Sequence, residues 1–198
     1  MRAANLLSVL LATATIVACG SDEAQLSSSP AEGDGSSRMV TARGVTVALP
    51  AGWWQAHESL TPTLTDPREV LAVATFPLRY RPTQCAHVAG AALIDLGPGD
   101  AFVTLQERGL DARSTWPDFP PRPAHFGPAL GEGSEAAACV PSARFTDHWF
   151  GFTDGDRHFH VLVAFGPSAS KAVRDQAWAI LDQLRIDPGV RPDWRSAG

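Results

Sequence analysis

The sequence predicts an α+β fold, an antiparallel β-sheet covered by helices, carried behind a disordered N-terminal tether. Three observations predict it. Two aromatic-rich runs in residues 145–165 flank Thr153-Asp154-Gly155-Asp156, and Asp-Gly between alternating runs is a strong hairpin signal. Residues 168–184 place Val173, Ala177, Ile180, Leu181 and Leu184 on one face of a 3.6-residue period, which is an amphipathic helix. Between the tether and that hairpin, short apolar runs follow one another without regular helical crossovers, which argues against a parallel βαβ sheet.

Taken in order, residues 45–49 (VTVAL) alternate and stop at Pro50, which reads as a strand ended by a Pro-Ala-Gly turn. Residues 69–76 (EVLAVATF) form an apolar run closed by Pro77, a buried strand. Residues 86–96 are Ala-rich with helical spacing and end at Gly97-Pro98-Gly99; Gly90 weakens the helix from within. Residues 101–107 alternate Phe102, Thr104 and Gln106 against Val103 and Leu105, another strand. Residues 116–128 hold five prolines in thirteen positions, so they cross the surface as extended chain rather than helix or central strand. The closing helix starts at Pro167-Ser168 and exits at Asp187-Pro188.

The 198 residues carry 16 Lys+Arg and 21 Asp+Glu, a net charge of -5. A nucleic-acid binder needs a basic face to neutralise phosphates, so that class is excluded. The only lysine is Lys171, which removes most lysine chemistry.

The N-terminal residues read as an address. Arg2 is a short basic start, and residues 6–17 are twelve uncharged positions, about 18 Å as a helix, too short for a hydrocarbon core of roughly 30 Å. They run into Ile16-Val17-Ala18-Cys19-Gly20, which resembles a lipobox, the processing signal of bacterial lipoproteins. That resemblance implies a signal peptide over 1–18, a diacylglyceryl thioether on Cys19, cleavage before it and acylation (palmitate-type) of the new amine. Residues 20–38 hold six Ser, three Gly and four acids with Leu26 the only large apolar side chain. Such a segment cannot offset its ordering entropy and reads as a tether, 19–39 with the lipidated Cys, spanning about 24 Å. The expected location is the extracytoplasmic face of the cell membrane, held by acyl chains rather than by a basic patch. The single domain expected behind the tether covers 40–198.

The strand ending in Pro50-Ala51-Gly52-Trp53, the meander and the closing helix with Ile180, Leu181 and Leu184 resemble the PsbP-like α/β/α sandwich, to which small actinobacterial lipoproteins of the LpqN type are similar. The resemblance implies the fold and a non-catalytic accessory role, and no binding residues.

Cys85 and Cys139 remain after Cys19. Export places them in an oxidising compartment, and two cysteines admit one intramolecular pairing, so a disulfide is expected. Ser168-Ala169-Ser170-Lys171 matches the S-x-x-K acylation motif of penicillin-binding proteins and β-lactamases. K-T-G would need a second lysine and Ser-Asp-Asn is absent, so Ser168 is read as a helix N-cap.

His158-x-His160 is the one metal-like spacing, because i and i+2 share a strand face. A two-residue turn at Asp154-Gly155 pairs Thr153 with Asp156, Gly151 with His158 and Trp149 with His160. Asp147 then lies diagonal to His160, and His148 pairs with Val161 on the other face. Asp147, His158 and His160 are the candidate metal set, weighed against two histidines packed beside Trp149; packing is the preferred reading, with no metal and no cofactor. Phe150, Phe159, Val161 and Val163 fall on the opposite face, read as the main core. Trp53, Trp54, Trp116 and Arg122, with Phe119, Trp149 and the Pro-rich segment, are candidates to line a groove for a glycan, lipid or peptide, weighed against most of these aromatics simply building the core.

The expected function is therefore a membrane-anchored envelope lipoprotein acting as a binding or accessory module, with membrane lipid and an unidentified envelope protein, glycan or lipid as partners. The rival is a small envelope hydrolase or metal-dependent enzyme built on Asp147, His158 and His160. A third reading is a structural or export-chaperone role that needs no pocket.

Overall fold

The structure is a computed structural model that describes residues 37–85, 87–109, 118–131, 136, 139–140 and 144–190. Eight strands in these residues form two antiparallel sheets. The small sheet has the order β1-β2-β8, with β1 Arg38–Ala42, β2 Val45–Leu49 and β8 Arg185–Ile186. The large sheet has the order β3-β4-β5-β7-β6, with β3 Trp54–Gln55, β4 Arg68–Ala74, β5 Ala101–Glu107, β6 Thr146–Asp154 and β7 Arg157–Phe165. Among the described residues, helix α1 spans Gly90–Asp95, helix α2 spans Lys171–Asp182, and a 3-10 turn spans Pro128–Leu130.

The expected strands at 45–49, 69–76 and 101–107 are present as β2, β4 and β5. Strand β1 begins at Arg38, so the last two residues of the expected 19–39 tether belong to a strand. It pairs with β2 through Arg43-Gly44, whose φ values of 49° and 73° make the two-residue turn that twisted hairpins favour. Gly44 is required there twice over: a Cβ would also come within 2.5 Å of Val190.

The hairpin of β6 and β7 forms, with its register displaced from the expected one. Asp154 pairs with Arg157, so Gly155-Asp156 is the loop and Asp154-Gly155 is not. Gly155 has φ 58° while Asp156 stays at negative φ, and a positive φ at the first loop position alone is the II′ pattern, which wants Gly first. Thr153 therefore faces His158, Gly151 faces His160, Trp149 faces Leu162 and His148 faces Val163. Moving the turn by one residue changes each pairing by two, so every side chain keeps its expected face.

The core lies on both sides of the large sheet. One face carries Leu71, Val73, Val103, Leu105, Phe152, Phe159, Val161 and Val163 against α2 (Ala177, Ile180, Leu181) and the small sheet (Val45, Val47, Leu49). The other carries Ala72, Ala74, Phe102, Leu162 and Ala164 against Val88, Ala89, Ala92 and Leu93 around α1. Because both faces are covered, β5 is buried at all seven positions, Thr104, Gln106 and Glu107 included. Two helices on opposite faces of an antiparallel sheet make this an α+β fold.

A buried ion pair joins the two sheets. Arg157 donates from Nε to Glu107 Oε1 and from Nη2 to Glu107 Oε2, both at 2.7 Å, with side chains 3% and 4% exposed. The same guanidinium donates to the carbonyls of Arg43 (3.0 Å) and Asp187 (3.3 Å), at the β1–β2 turn and just past β8. Its planar fork satisfies a carboxylate and several carbonyls at once.

The closing helix is shorter than expected at both ends. Its N-cap is Ser170, whose Oγ accepts from Val173 N–H at 3.2 Å; Ser168 lies outside the helix and donates its own N–H to Pro98 O at 2.7 Å. Gly166 comes so close to the 97–98 backbone that a Cβ would sit 2.1 Å from Gly97 O. Proline-rich residues 118–123 run extended along the free edge of β6, with Arg122 N–H donating to Thr153 O and Thr153 N–H to Pro120 O, both 2.8 Å.

Candidate functional site

On the α1 face of the large sheet the apolar surface gives way to a polar row. Glu69, Gln106, His160 and Gly151 are successive register partners across β4, β5, β7 and β6. Thr104 stands one step along the same face, beside Ala72 and Leu162. Glu69, Thr104, Gln106 and His160 are all buried.

Each side chain of the row is held by a specific partner. Glu69 accepts from Leu60 N–H at 3.1 and 3.2 Å and from the Thr61 hydroxyl at 3.4 Å. Burial nevertheless pushes its pKa up to about 7, because desolvation of the carboxylate outweighs these hydrogen bonds and the nearby charge of Arg43. Gln106 Nε2 donates to His87 O at 3.1 Å. Arg108 Nε donates to His160 Nε2 at 2.7 Å. Burial first, and the Arg108 charge second, hold the His160 pKa down near 4. The ring is therefore neutral at ordinary pH, and since Nε2 accepts, Nδ1 carries the hydrogen.

Three buried polar atoms on this face have no protein hydrogen-bond partner among the described residues: Thr104 Oγ1, Gln106 Oε1 and His160 Nδ1. They sit on neighbouring positions of β5 and β7. Leaving three such atoms dry would cost about 3–9 kcal/mol, as much as the whole stability of many domains. Native proteins satisfy sets like this with ordered water or a bound polar group.

Aromatic rings wall the patch. Phe119 meets the His160 ring edge-on at 4.7 Å between centroids, and Trp149 lies 5.5 Å from it at 35°. Gly151 makes room for Phe119, since a Cβ there would come within 2.8 Å of the phenyl ring. The disulfide stands beside the row: Cys85 and Cys139 are bonded with Cα atoms 5.7 Å apart, and Cys139 Sγ lies 3.6 Å from His87 Nε2. The bridge expected from the sequence is present.

The structure does not assemble the Asp147, His158 and His160 set. With Gly151 opposite His160, Asp147 is four residues further along β6 opposite Ala164, about 14 Å away at roughly 3.4 Å per residue. His158 shares the face, is half-buried and sits 3.2 Å through Nδ1 from Asp156 O. Among the described residues no group of three or more His, Cys, Asp or Glu is placed to hold a metal ion. His148 lies on the opposite face, against Trp178 and 2.6 Å from Gly131 O.

Of the aromatic groove candidates, Phe119 and Trp149 meet at His160, while Trp53 and Trp54 line a separate shallow pocket that Arg122 does not reach. Trp53 is buried in the core and donates its indole N–H to Gln176 Oε1 at 3.0 Å. Trp54 is half exposed on β3, beside Arg38 and His57. Arg122 is engaged with Asp154 Oδ2 (3.1 Å) and with the Asp182 carbonyl (3.2 Å), where it caps the C-terminal end of α2. Trp116 and Cys19 lie outside the described residues. Lys171 is exposed and pairs with Asp175 at 2.7 Å, one helical turn on.

Sequence reasoning missed Glu69, Thr104, Gln106 and Arg108. The signal was available for two of them: Thr104 and Gln106 are polar residues at alternate positions of a strand whose other members are apolar up to Glu107. Neither a protein-family model nor a curated protein sequence matches the chain at a significant level.

Proposed function

We propose that this chain is a lipid-anchored extracytoplasmic lipoprotein whose domain, beginning at β1, acts by binding, as a non-catalytic module of the cell envelope. The observation that carries the reading is the Cys85–Cys139 bridge. Disulfides persist where the compartment is oxidising, and export to such a compartment is what the lipobox-like residues 16–19 imply. The large sheet, covered by α2 on one face and α1 on the other, supports a PsbP-like α/β/α arrangement. The cluster of unpartnered polar atoms on the α1 face supports binding over a purely structural role.

Expression of the full chain in a bacterial host tests the reading. The mature protein is expected in the membrane fraction with a mass increase equal to its acyl chains, and Cys19→Ser is expected to release it. A wild-type protein that fractionates as soluble, or carries no acyl mass, overturns the lipoprotein assignment.

A further inference from the structure

We propose that Thr104, Gln106 and His160 form a binding site for an uncharged amide group, as carried by a peptide bond or by the acetamido group of an N-acetylated sugar. This rests on the binding-module reading above and gives that module its ligand chemistry.

The unpartnered atoms define the ligand by complementarity. Gln106 Nε2 is committed to His87 O, so Oε1 is left as an unpartnered acceptor. His160 Nε2 is committed to Arg108, so Nδ1–H is left as a donor. The Thr104 hydroxyl takes either role. The two residues that set the pattern are register partners on adjacent strands. An amide presents a carbonyl acceptor and an N–H donor on adjoining atoms, which matches one donor and one acceptor carried by register-paired residues. A carboxylate offers no donor to Gln106, and an ammonium offers no acceptor to His160. A charged group would also bear the desolvation cost of this buried face.

The walls fit the same ligand. The faces and edges of Phe119 and Trp149 suit a planar amide or the apolar face of a pyranose ring. Phe119 is half-buried, and its ring lies on a glycine rather than being locked between side chains of β6. Its neighbours Pro120 and Arg122 are fixed to Thr153 through backbone hydrogen bonds, which holds the ring at the His160 edge.

The test uses the full mature chain with its disulfide intact, labelled with ¹⁵N for side-chain NMR. The probes are N-acetylalanine methylamide and N-acetylglucosamine, with acetate and methylammonium as charged controls. At least one amide probe is expected to shift the His160 ring and Gln106 side-chain signals saturably in the millimolar range. Saturation at lower concentration by the dipeptide or by the sugar identifies which source of the amide the site prefers. Gln106→Leu is expected to weaken binding about tenfold. Thr104→Val, which keeps the side-chain shape, is expected to weaken it as well while leaving the backbone spectrum unchanged. No saturable shift with either amide up to about 50 mM means the patch holds water alone and overturns the proposal. An equal response to acetate overturns it too. Neither failure touches the Cys19→Ser result, so loss of the ligand and loss of the anchor are told apart.

Discussion

Glu69→Gln isolates the electrostatic cost of a buried carboxyl on the α1 face. The wild-type carboxyl is buried and its pKa stands near 7 rather than 4.5. The folded state therefore holds a proton between pH 4.5 and 7 that the unfolded state has released. Stability from this group is fully present below pH 4.5 and falls as pH rises through 7. Above pH 7 the ionised, desolvated carboxylate costs about 3 kcal/mol. Gln keeps an oxygen to accept from Leu60 N–H and never ionises. The variant is expected to be more stable than wild type by up to about 3 kcal/mol at pH 8, with the difference shrinking toward zero near pH 4.5. His160 has the opposite sign. Its pKa is lowered from 6.5 to about 4, so its contribution is present above pH 6.5 and lost as pH falls through 4. In the wild type the two slopes oppose each other between pH 4.5 and 6.5; in Glu69→Gln only the His160 slope remains, and stability should drop on acidification. Urea unfolding followed by tryptophan fluorescence, from pH 4 to 8 at constant ionic strength, measures this directly. A Glu69→Gln gain that is absent at pH 8, or that is the same at every pH, would refute the argument that desolvation dominates at Glu69.

Three further outcomes are expected. Glu107→Gln leaves the Arg157 guanidinium buried at the junction of the two sheets without its countercharge and should cost about 3–5 kcal/mol, read as a lower urea midpoint at unchanged m-value. Gly166→Ala drives a Cβ to 2.1 Å from the Gly97 carbonyl and should cost about 3 kcal/mol or more; a thermal midpoint within about 2 °C of wild type would show that the 97–98 turn yields freely. Replacing Cys85 and Cys139 together with Ser removes a bridge spanning 54 residues and should cost about 4 kcal/mol, whereas wild-type stability that is indifferent to reductant would contradict it.

The candidate site was legible only in part. Alternation in 101–107 already placed Phe102, Thr104 and Gln106 on one face, and the hairpin signal already placed His158, His160 and Trp149 together. What the sequence could not supply was the neighbour of each. The Asp147, His158 and His160 set depended on which residue of Asp154-Gly155-Asp156 came first in the turn. One residue of difference moved Asp147 two pairs away while leaving all faces unchanged. Arg108 lies just past the end of β5 and reaches His160 across 52 positions of chain, a distance over which no periodicity carries information. Trp53 and Arg122 have the composition of a ligand groove, yet one fills the core and the other caps a helix.

The amino-acid sequence by itself determined the fold class, the strands at 45–49, 69–76 and 101–107, the hairpin, the closing helix and the single cysteine pairing. Each follows from local signals: side-chain period, turn chemistry, and the count of thiols. The tertiary structure alone decided the junction of the two sheets at Arg157 and Glu107, and the polar row from Glu69 to His160. Those features depend on contacts between residues far apart in the chain, where burial sets the cost of an unpaired charge or hydrogen-bonding atom, and burial is a property of the folded molecule rather than of any segment of it.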